Sequence, residues 1–268
     1  MKIFKIIIVC GIIFSLITAC SNYIQVQNDL KPKSFNLLFE IKLSHQIDKV
    51  AFLHPNFVYL NKENSVYIYE QGELINSFGS FGFSENNFNK IDDIKISPER
   101  NLLILDSIQK KIKKFDKFGK WIATVELQNV SEPKLFDIST DRTLYIYDKN
   151  RNEVIVTKDG IEEMFSFGKF EFSNPVQFDM IAKNIFVYDK ELNKTLTFDK
   201  YGQFLQEYSG YVQSNGKSIF RLEKNFVTSS DKKFMIHYPQ WNTFFIKNNY
   251  CILTSNHKIA VNKIIYER

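Results

Sequence analysis

One five-residue segment recurs four times in this chain, and its regular spacing constrains the fold more than any other feature. Each copy is a run of apolar and aromatic residues that ends in a carboxylate or amide side chain. The copies lie at residues 57–61, 102–106, 144–148 and 185–189 and end in Asn61, Asp106, Asp148 and Asp189. These end positions lie 41 to 45 residues apart. The glycines Gly72, Gly119, Gly160 and Gly202 recur 41 to 47 residues apart, so two independent markers indicate one period.

A period in the forties that is built from short β segments is typical of the blades of a β-propeller. Residues 102–105 are apolar at consecutive positions, as expected of an inner strand that neighbouring blades cover on both faces. Residues 120–126 mix charged and apolar side chains, as expected of an outer strand. The sequence therefore predicts an all-β chain with a single propeller of four-stranded blades.

The second copy resembles a known repeat. It contains Phe78-Gly79-Ser80-Phe81-Gly82, then Phe88, Ile94, the run ending in Asp106, the strand 111–115 with its basic residues and Phe115, and the turn glycine Gly119. This order is similar to that of the NHL repeat, and the match is best over residues 78–125. The resemblance implies a propeller, commonly six-bladed, that binds proteins or other ligands on one face. Some relatives are enzymes, so the resemblance predicts the fold more strongly than it predicts the function.

The number of blades depends on how the ring closes. After Gly216 the repeat weakens, and we expect a diverged fifth unit with strands at 233–238, 242–246 and 250–254. Two β-like segments, 35–41 and 257–265, remain outside the five units, and neither can bury its apolar side alone. We predict that they lie together and form an incomplete sixth blade. A five-bladed ring is the alternative.

The N-terminus has the pattern of an export signal. A basic start with Lys2 and Lys5 precedes an apolar run at 6–17, which is shorter than the roughly 20 residues that span a bilayer. Residues 16–20, Leu-Ile-Thr-Ala-Cys, resemble the lipobox of bacterial lipoproteins, which implies cleavage before Cys20 and lipidation of its thiol. We thus predict a signal peptide at 1–19, a lipidated tether at 20–34 and the propeller at 35–268.

The cysteine content and the net charge limit the classes of function that this chain can have. Of three cysteines, Cys10 leaves with the signal and Cys20 carries the lipid, so Cys251 is predicted to be an unpaired, buried residue. The formal net charge of +5 includes Lys2 and Lys5 of the signal, and the remainder is too small to indicate a nucleic-acid partner. No cofactor motif is present.

Four groups of residues are candidates for a site: recurring aspartates, histidines, a run of lysines and a set of phenylalanines. Asp106, Asp148 and Asp189 share one blade position, where an Asp can accept backbone hydrogen bonds in a turn; a ring of metal-binding carboxylates is the alternative. The histidines His45, His54, His237 and His257 show no metal-ligand spacing, and no metal or catalytic residue is assigned.

The lysines Lys110, Lys111, Lys113, Lys114, Lys117 and Lys120 are interpreted as a solvated blade edge, with contact to anionic headgroups or a polyanion as the alternative. Phe78, Phe81, Phe167 and Phe170 are interpreted as packing between sheets.

The favoured function is a membrane-anchored binding or scaffold module of the cell envelope, with a protein, peptide or glycan as ligand. Its membrane is either the outer membrane or the outer face of the cytoplasmic membrane. The alternative is a metal-dependent propeller hydrolase or lyase, which the lack of a shared register among histidines and acids disfavours.

Overall fold

A computed structural model describes residues 32–44, 46–223, 226–229, 232–235 and 241–267. Within these ranges the chain forms 24 β-strands and no helix. The strands make six four-stranded antiparallel sheets, which are the blades of a six-bladed β-propeller. The predicted all-β class and the six-bladed ring are therefore confirmed.

The chain enters through β1 (Pro32–Lys42) and then builds the blades in order. Blade 1 contains β2 (Lys49–Leu53), β3 (Phe57–Lys62), β4 (Ser65–Glu70) and β5 (Glu73–Phe78). Blade 2 contains β6 (Ile91–Ile96), β7 (Leu102–Asp106), β8 (Lys111–Phe115) and β9 (Trp121–Glu126). Blade 3 contains β10 (Pro133–Ile138), β11 (Leu144–Asp148), β12 (Glu153–Thr157) and β13 (Glu163–Phe167).

Blade 4 contains β14 (Pro175–Ile181), β15 (Asn184–Asp189), β16 (Lys194–Asp199) and β17 (Phe204–Ser209). Blade 5 contains β18 (Val212–Ser214), β19 (Ile219–Glu223), β20 (Phe226–Ser229) and β21 (Lys232–Met235). Blade 6 contains β22 (Thr243–Lys247), β23 (Tyr250–Thr254) and β24 (Lys258–Tyr266), and β1 is its outermost strand.

Burial follows the position of each strand in its blade. Every residue of β7 and of β11 is buried, because adjacent blades cover both faces of these strands. The fourth strands are exposed along most of their length, as in β5 and β17. The segment 102–105 is thus the second strand from the axis, and the innermost position belongs to β6, which contacts the first strands β2 and β10.

The ring closes by pairing the two ends of the chain. Strand β1 runs antiparallel to β24, with Phe39 opposite Val261 and Ile41 opposite Ile259. The prediction that segments 35–41 and 257–265 lie together is confirmed. The blade is complete rather than incomplete, because β22 and β23 supply its two inner strands.

The expected fifth unit was assigned to the wrong residues. Its proposed inner strand at 233–238 overlaps β21, which is the outermost strand of blade 5, and residues 236–238 lie outside the described residues. Blade 5 begins earlier, at Val212. Its first strand has three residues and its second strand, β19, mixes charged and apolar side chains, so the apolar marker of the other blades is absent.

The antiparallel order of the strands defines two opposite faces. The loop face carries the connections from each fourth strand to the next blade, such as residues 79–90 and 168–174. The turn face carries the turns between third and fourth strands, such as 116–120, 158–162 and 200–203. Pro32 pairs with Tyr266 at the end of β24, so the described chain begins on the turn face.

Candidate functional site

The described structure contains a central channel. Its cavity of about 620 Å³ is lined by residues from the first strand of all six blades. Charged side chains enter it from neighbouring blades: Asp93 and Lys95 from β6, Asp137 from β10 and Asp179 from β14. Sequence reasoning missed this set, although Lys95, Asp137 and Asp179 occupy the same register of their strands and recur every 42 residues. The signal was overlooked because a lysine takes the position in blade 2 that an acid takes in blades 3 and 4.

Lys95 is the centre of the charge network in the channel. Its Nζ lies 2.9 Å from Oδ1 of Asp179 and 4.0 Å from Oδ2 of Asp93, and it donates to the Phe178 carbonyl at 2.5 Å. Burial lowers the pKa of Lys95, but the attraction of Asp179 and Asp93 outweighs it, so the pKa is raised overall. Burial likewise opposes ionisation of Asp179, yet Lys95 keeps that pKa below its ordinary value. Lys95 and Asp179 therefore form a charged pair.

The other channel side chains hold adjacent blades together. Asp93 accepts a hydrogen bond from the Phe136 N–H at 3.2 Å, and Asp137 accepts one from the Met180 N–H at 2.7 Å. The pKa of both carboxyls is raised overall, because the effect of burial outweighs the opposing attraction of the Lys95 ammonium. The innermost strands present backbone N–H groups to the channel, and these carboxylates supply their acceptors. The channel carboxylates therefore contribute to closing the ring.

The recurring aspartates do not line the channel. Asp148 is fully buried and accepts hydrogen bonds from the backbone N–H groups of Ser131, Glu132, Asn150 and Arg151 at 2.6 to 3.3 Å. Asp189 makes four equivalent contacts in blade 4. The interpretation of these residues as turn-stabilising acceptors is confirmed. Among the described residues, no group of three or more His, Cys, Asp or Glu side chains is placed to hold a metal ion.

The lysine run does not form a blade edge. Strand β8, which carries Lys111, Lys113 and Lys114, is the third strand of its blade and is covered by β9. Lys113 is buried, and Lys111 forms an ion pair with Glu126 at 3.1 Å. The prediction of a solvated edge is therefore wrong for β8, because the position of a strand within its sheet follows from the tertiary fold.

Large apolar side chains are displayed on the loop face. Phe83 is 75% exposed and Phe170 is 93% exposed, and Phe81, Ile108 and Leu192 are also exposed. Phe78 and Phe167 pack into the cores of their blades, as predicted. The same prediction is wrong for Phe81 and Phe170, which the loops direct into solvent. We call Phe81, Phe83 and Ile108 the blade 2 aromatic patch.

Two side-chain donors, Lys113 and Gln109, bind backbone carbonyls of the loop under this patch. The Nζ of Lys113 donates to the carbonyls of Ser84 at 2.9 Å and Asn87 at 2.5 Å. Gln109 donates to the Gly82 carbonyl at 2.9 Å. Gly79 has a φ of +95°, and a Cβ there would lie 2.5 Å from the Asn64 carbonyl oxygen, so glycine is required where the loop leaves β5. The aromatic side chains are thus displayed on a pre-organised loop.

Cys251, His54 and His257 are the remaining sequence candidates that the structure describes. Cys251 is unpaired and fully buried, as predicted, and burial raises the pKa of its thiol. Burial and the nearby Arg100 lower the pKa of His54, and His257 is exposed. Cys20, His45 and His237 lie outside the described residues.

Comparisons with known proteins support the fold alone. No family model matches the sequence, and no curated protein matches it. The WD40 β-propeller domain of Doa1 has a TM-score of 0.57 and 8% identity, over 87% of this chain and 97% of that one. A streptogramin B lyase has a TM-score of 0.57 and 12% identity, over 86% of this chain and 98% of that one. The chain is therefore a six-bladed β-propeller, a fold that suits a binding or scaffold module.

Proposed function

We propose that this protein is a lipid-anchored binding module of the cell envelope that holds a protein or peptide on its loop face. The observation that carries the proposal is the blade 2 aromatic patch on its rigid loop. Exposed aromatic side chains are the commonest anchors of protein interfaces. A pre-organised loop loses little conformational entropy when it binds, so it contributes to affinity. Residues 78–125 resemble an NHL repeat, and that resemblance implies ligand binding on one face of the propeller.

The channel favours a binding module over the alternative of a metal-dependent hydrolase or lyase. Its carboxylates accept hydrogen bonds from backbone N–H groups or pair with Lys95. These oxygens therefore already have structural partners within the propeller. A catalytic metal site needs several such oxygens converging on one open point.

The lipid anchor is supported by the signal-like residues 1–19 and by the residues before Cys20. In the described part of the chain, no helix is long and apolar enough to cross a membrane. A covalent lipid would hold the domain at the membrane without such a helix.

Lipidation predicts that the mature chain begins at Cys20 and incorporates a labelled fatty acid supplied to the cells. Cys20→Ser should abolish the label, because the thiol is the acceptor. Cys251→Ser is the matched control and should retain it, since Cys251 is buried in the propeller. Fatty-acid labelling followed by N-terminal mass spectrometry measures both. A mature chain that starts elsewhere, or a Cys20→Ser protein that keeps the label, would refute the anchor.

Binding on the loop face predicts site-selective photocrosslinking in living cells. A benzophenone side chain at Phe83 or Phe170 should produce a discrete crosslinked species on a denaturing gel. The same probe at Leu205, which is exposed on the outer strand β17, should not. Protease treatment of the purified adduct should remove the mass shift, whereas sensitivity to glycosidases instead would identify a glycan ligand.

The variant Lys113→Met provides the control for pre-organisation. It removes the donor to Ser84 and Asn87, so the loop loses its fixed conformation while the probe at Phe83 remains in place. We expect crosslinking from Phe83 to fall and crosslinking from Phe170 to persist. Equal crosslinking from Phe83, Phe170 and Leu205 would contradict a loop-face site.

A further inference from the structure

We propose that the turn face of the propeller docks on an anionic phospholipid surface through blades 2 and 4 and thereby orients the loop face away from the membrane. The proposal rests on the lipid anchor proposed above and adds an orientation to it. It assigns a use to the face of the propeller on which the described chain begins.

Two turns on this face share one arrangement, a lysine next to an exposed aromatic side chain. The turn of blade 2 carries Lys117 and Phe118, and that of blade 4 carries Lys200 and Tyr201. The turn of blade 3 does not belong to this set, because Lys158 is followed there by the exposed Asp159. Phe118 is 49% exposed and Tyr201 is 65% exposed. Such pairs suit the membrane interface, where the apolar part enters the acyl boundary and the ammonium contacts phosphate.

In both turns the preceding aspartate leaves the lysine and its aromatic neighbour at the tip. The Asp116 carboxylate accepts hydrogen bonds from the backbone N–H groups of Phe118 and Lys120, each at 2.9 Å. Asp199 does the same for Tyr201 at 2.8 Å and Gln203 at 2.9 Å. These acids are held against the turn backbone.

The preceding blade fixes two of the turns in position. The hydroxyl of Tyr59 in blade 1 donates to the Lys117 carbonyl at 3.1 Å. The hydroxyl of Tyr145 in blade 3 donates to the Lys200 carbonyl at 3.0 Å. The tips of blades 2 and 4 are therefore rigid points on one face, and a flat partner can engage both without deforming the propeller.

The chain before Pro32 identifies the partner as a membrane. Eleven residues separate Cys20 from Pro32, and they span at most about 40 Å when fully extended. Pro32 lies on the turn face, so a lipid on Cys20 keeps that face near the bilayer. The attraction of a single lysine to an anionic surface is too weak to hold a free protein there. A lipid anchor would already hold the domain at the membrane, so the turn face would meet the surface at a high local concentration. This high concentration compensates for the weakness of each contact.

The test places a fluorescent probe on each face of the full-length lipidated protein. Gln203→Cys on the turn face and Glu171→Cys on the loop face are matched, because both residues are exposed and belong to blade 4 or its entry. The native Cys251 is buried and would not react with the probe. Each labelled protein is reconstituted into vesicles of phosphatidylethanolamine and phosphatidylglycerol that contain a headgroup-attached quencher.

We expect several-fold stronger quenching at Gln203→Cys than at Glu171→Cys. The double substitution F118S/Y201S should abolish the difference while the protein still sediments with the vesicles. Equal quenching at the two positions, or a difference that survives the double substitution, would overturn the docking proposal and leave the anchor intact. Failure of the unsubstituted protein to sediment with vesicles would instead overturn the anchor and the docking proposal together.

Discussion

Replacing Ile41 with Asp is expected to lower the free energy of unfolding of the whole propeller by at least about 4 kcal/mol. Ile41 is buried on β1, where it packs with Phe52 and Val58 of blade 1 and with Ile252 of blade 6. A carboxylate in this cluster would be buried without a partner. Because β1 is the strand that joins the end of the ring to its beginning, its release exposes apolar surface on both neighbouring blades.

Asn36→Asp is the control for this prediction. It introduces the same carboxylate on the same strand, but at an exposed position opposite Lys263, so stability should change by no more than about 0.5 kcal/mol. Urea unfolding followed by circular dichroism and by tryptophan fluorescence measures both variants. If Ile41→Asp shifts only one of the two signals, the strand contributes locally and ring closure does not govern the stability of the domain.

The second large effect is expected at the aspartates that mark the repeat. Asp148→Ala removes the acceptor of four backbone N–H groups, two from the segment before β10 and two from the turn after β11. Each buried donor left without a partner costs about 1 to 3 kcal/mol, and water entering the site offsets part of this. We expect a total loss of about 3 to 5 kcal/mol.

Glu162→Ala is the matched control, since it removes an exposed acidic side chain from the same blade and should leave the midpoint of thermal unfolding unchanged. Thermal unfolding with and without calcium distinguishes the two interpretations of Asp148. If calcium stabilises the unsubstituted protein but not the Asp148→Ala variant, the carboxylate is a metal ligand and the hydrogen-bond explanation is wrong.

The blades that were recognisable from the sequence are those in which local chemistry repeats. The second strands β7, β11 and β15 end in an aspartate whose contacts lie within about 20 residues, so each blade needs the same residue at the same place. Blade 5 lacks this marker in β19, which ends in Glu223, and its strands were therefore assigned to the wrong residues.

The candidate site was less predictable than the fold. Phe78 and Phe167 are the last residues of β5 and β13 and are packed, whereas Phe81 and Phe170 lie three residues further on and are exposed. Only the path of each loop separates the exposed rings from the packed ones. Lys113 belongs to a lysine run that is polar in the sequence. Its burial depends on the carbonyls of Ser84 and Asn87, which approach it from a different part of the chain.

The sequence by itself determined the β class and the period of the blades, because these depend on contacts within one blade. Only the tertiary structure decided that β22 and β23 complete blade 6, that Lys95 pairs with Asp179 across the channel and that the aromatic side chains of the loop face meet solvent. Those features join residues far apart in the chain, and side-chain burial there depends on how the six blades pack around one axis rather than on the residues next to them in sequence.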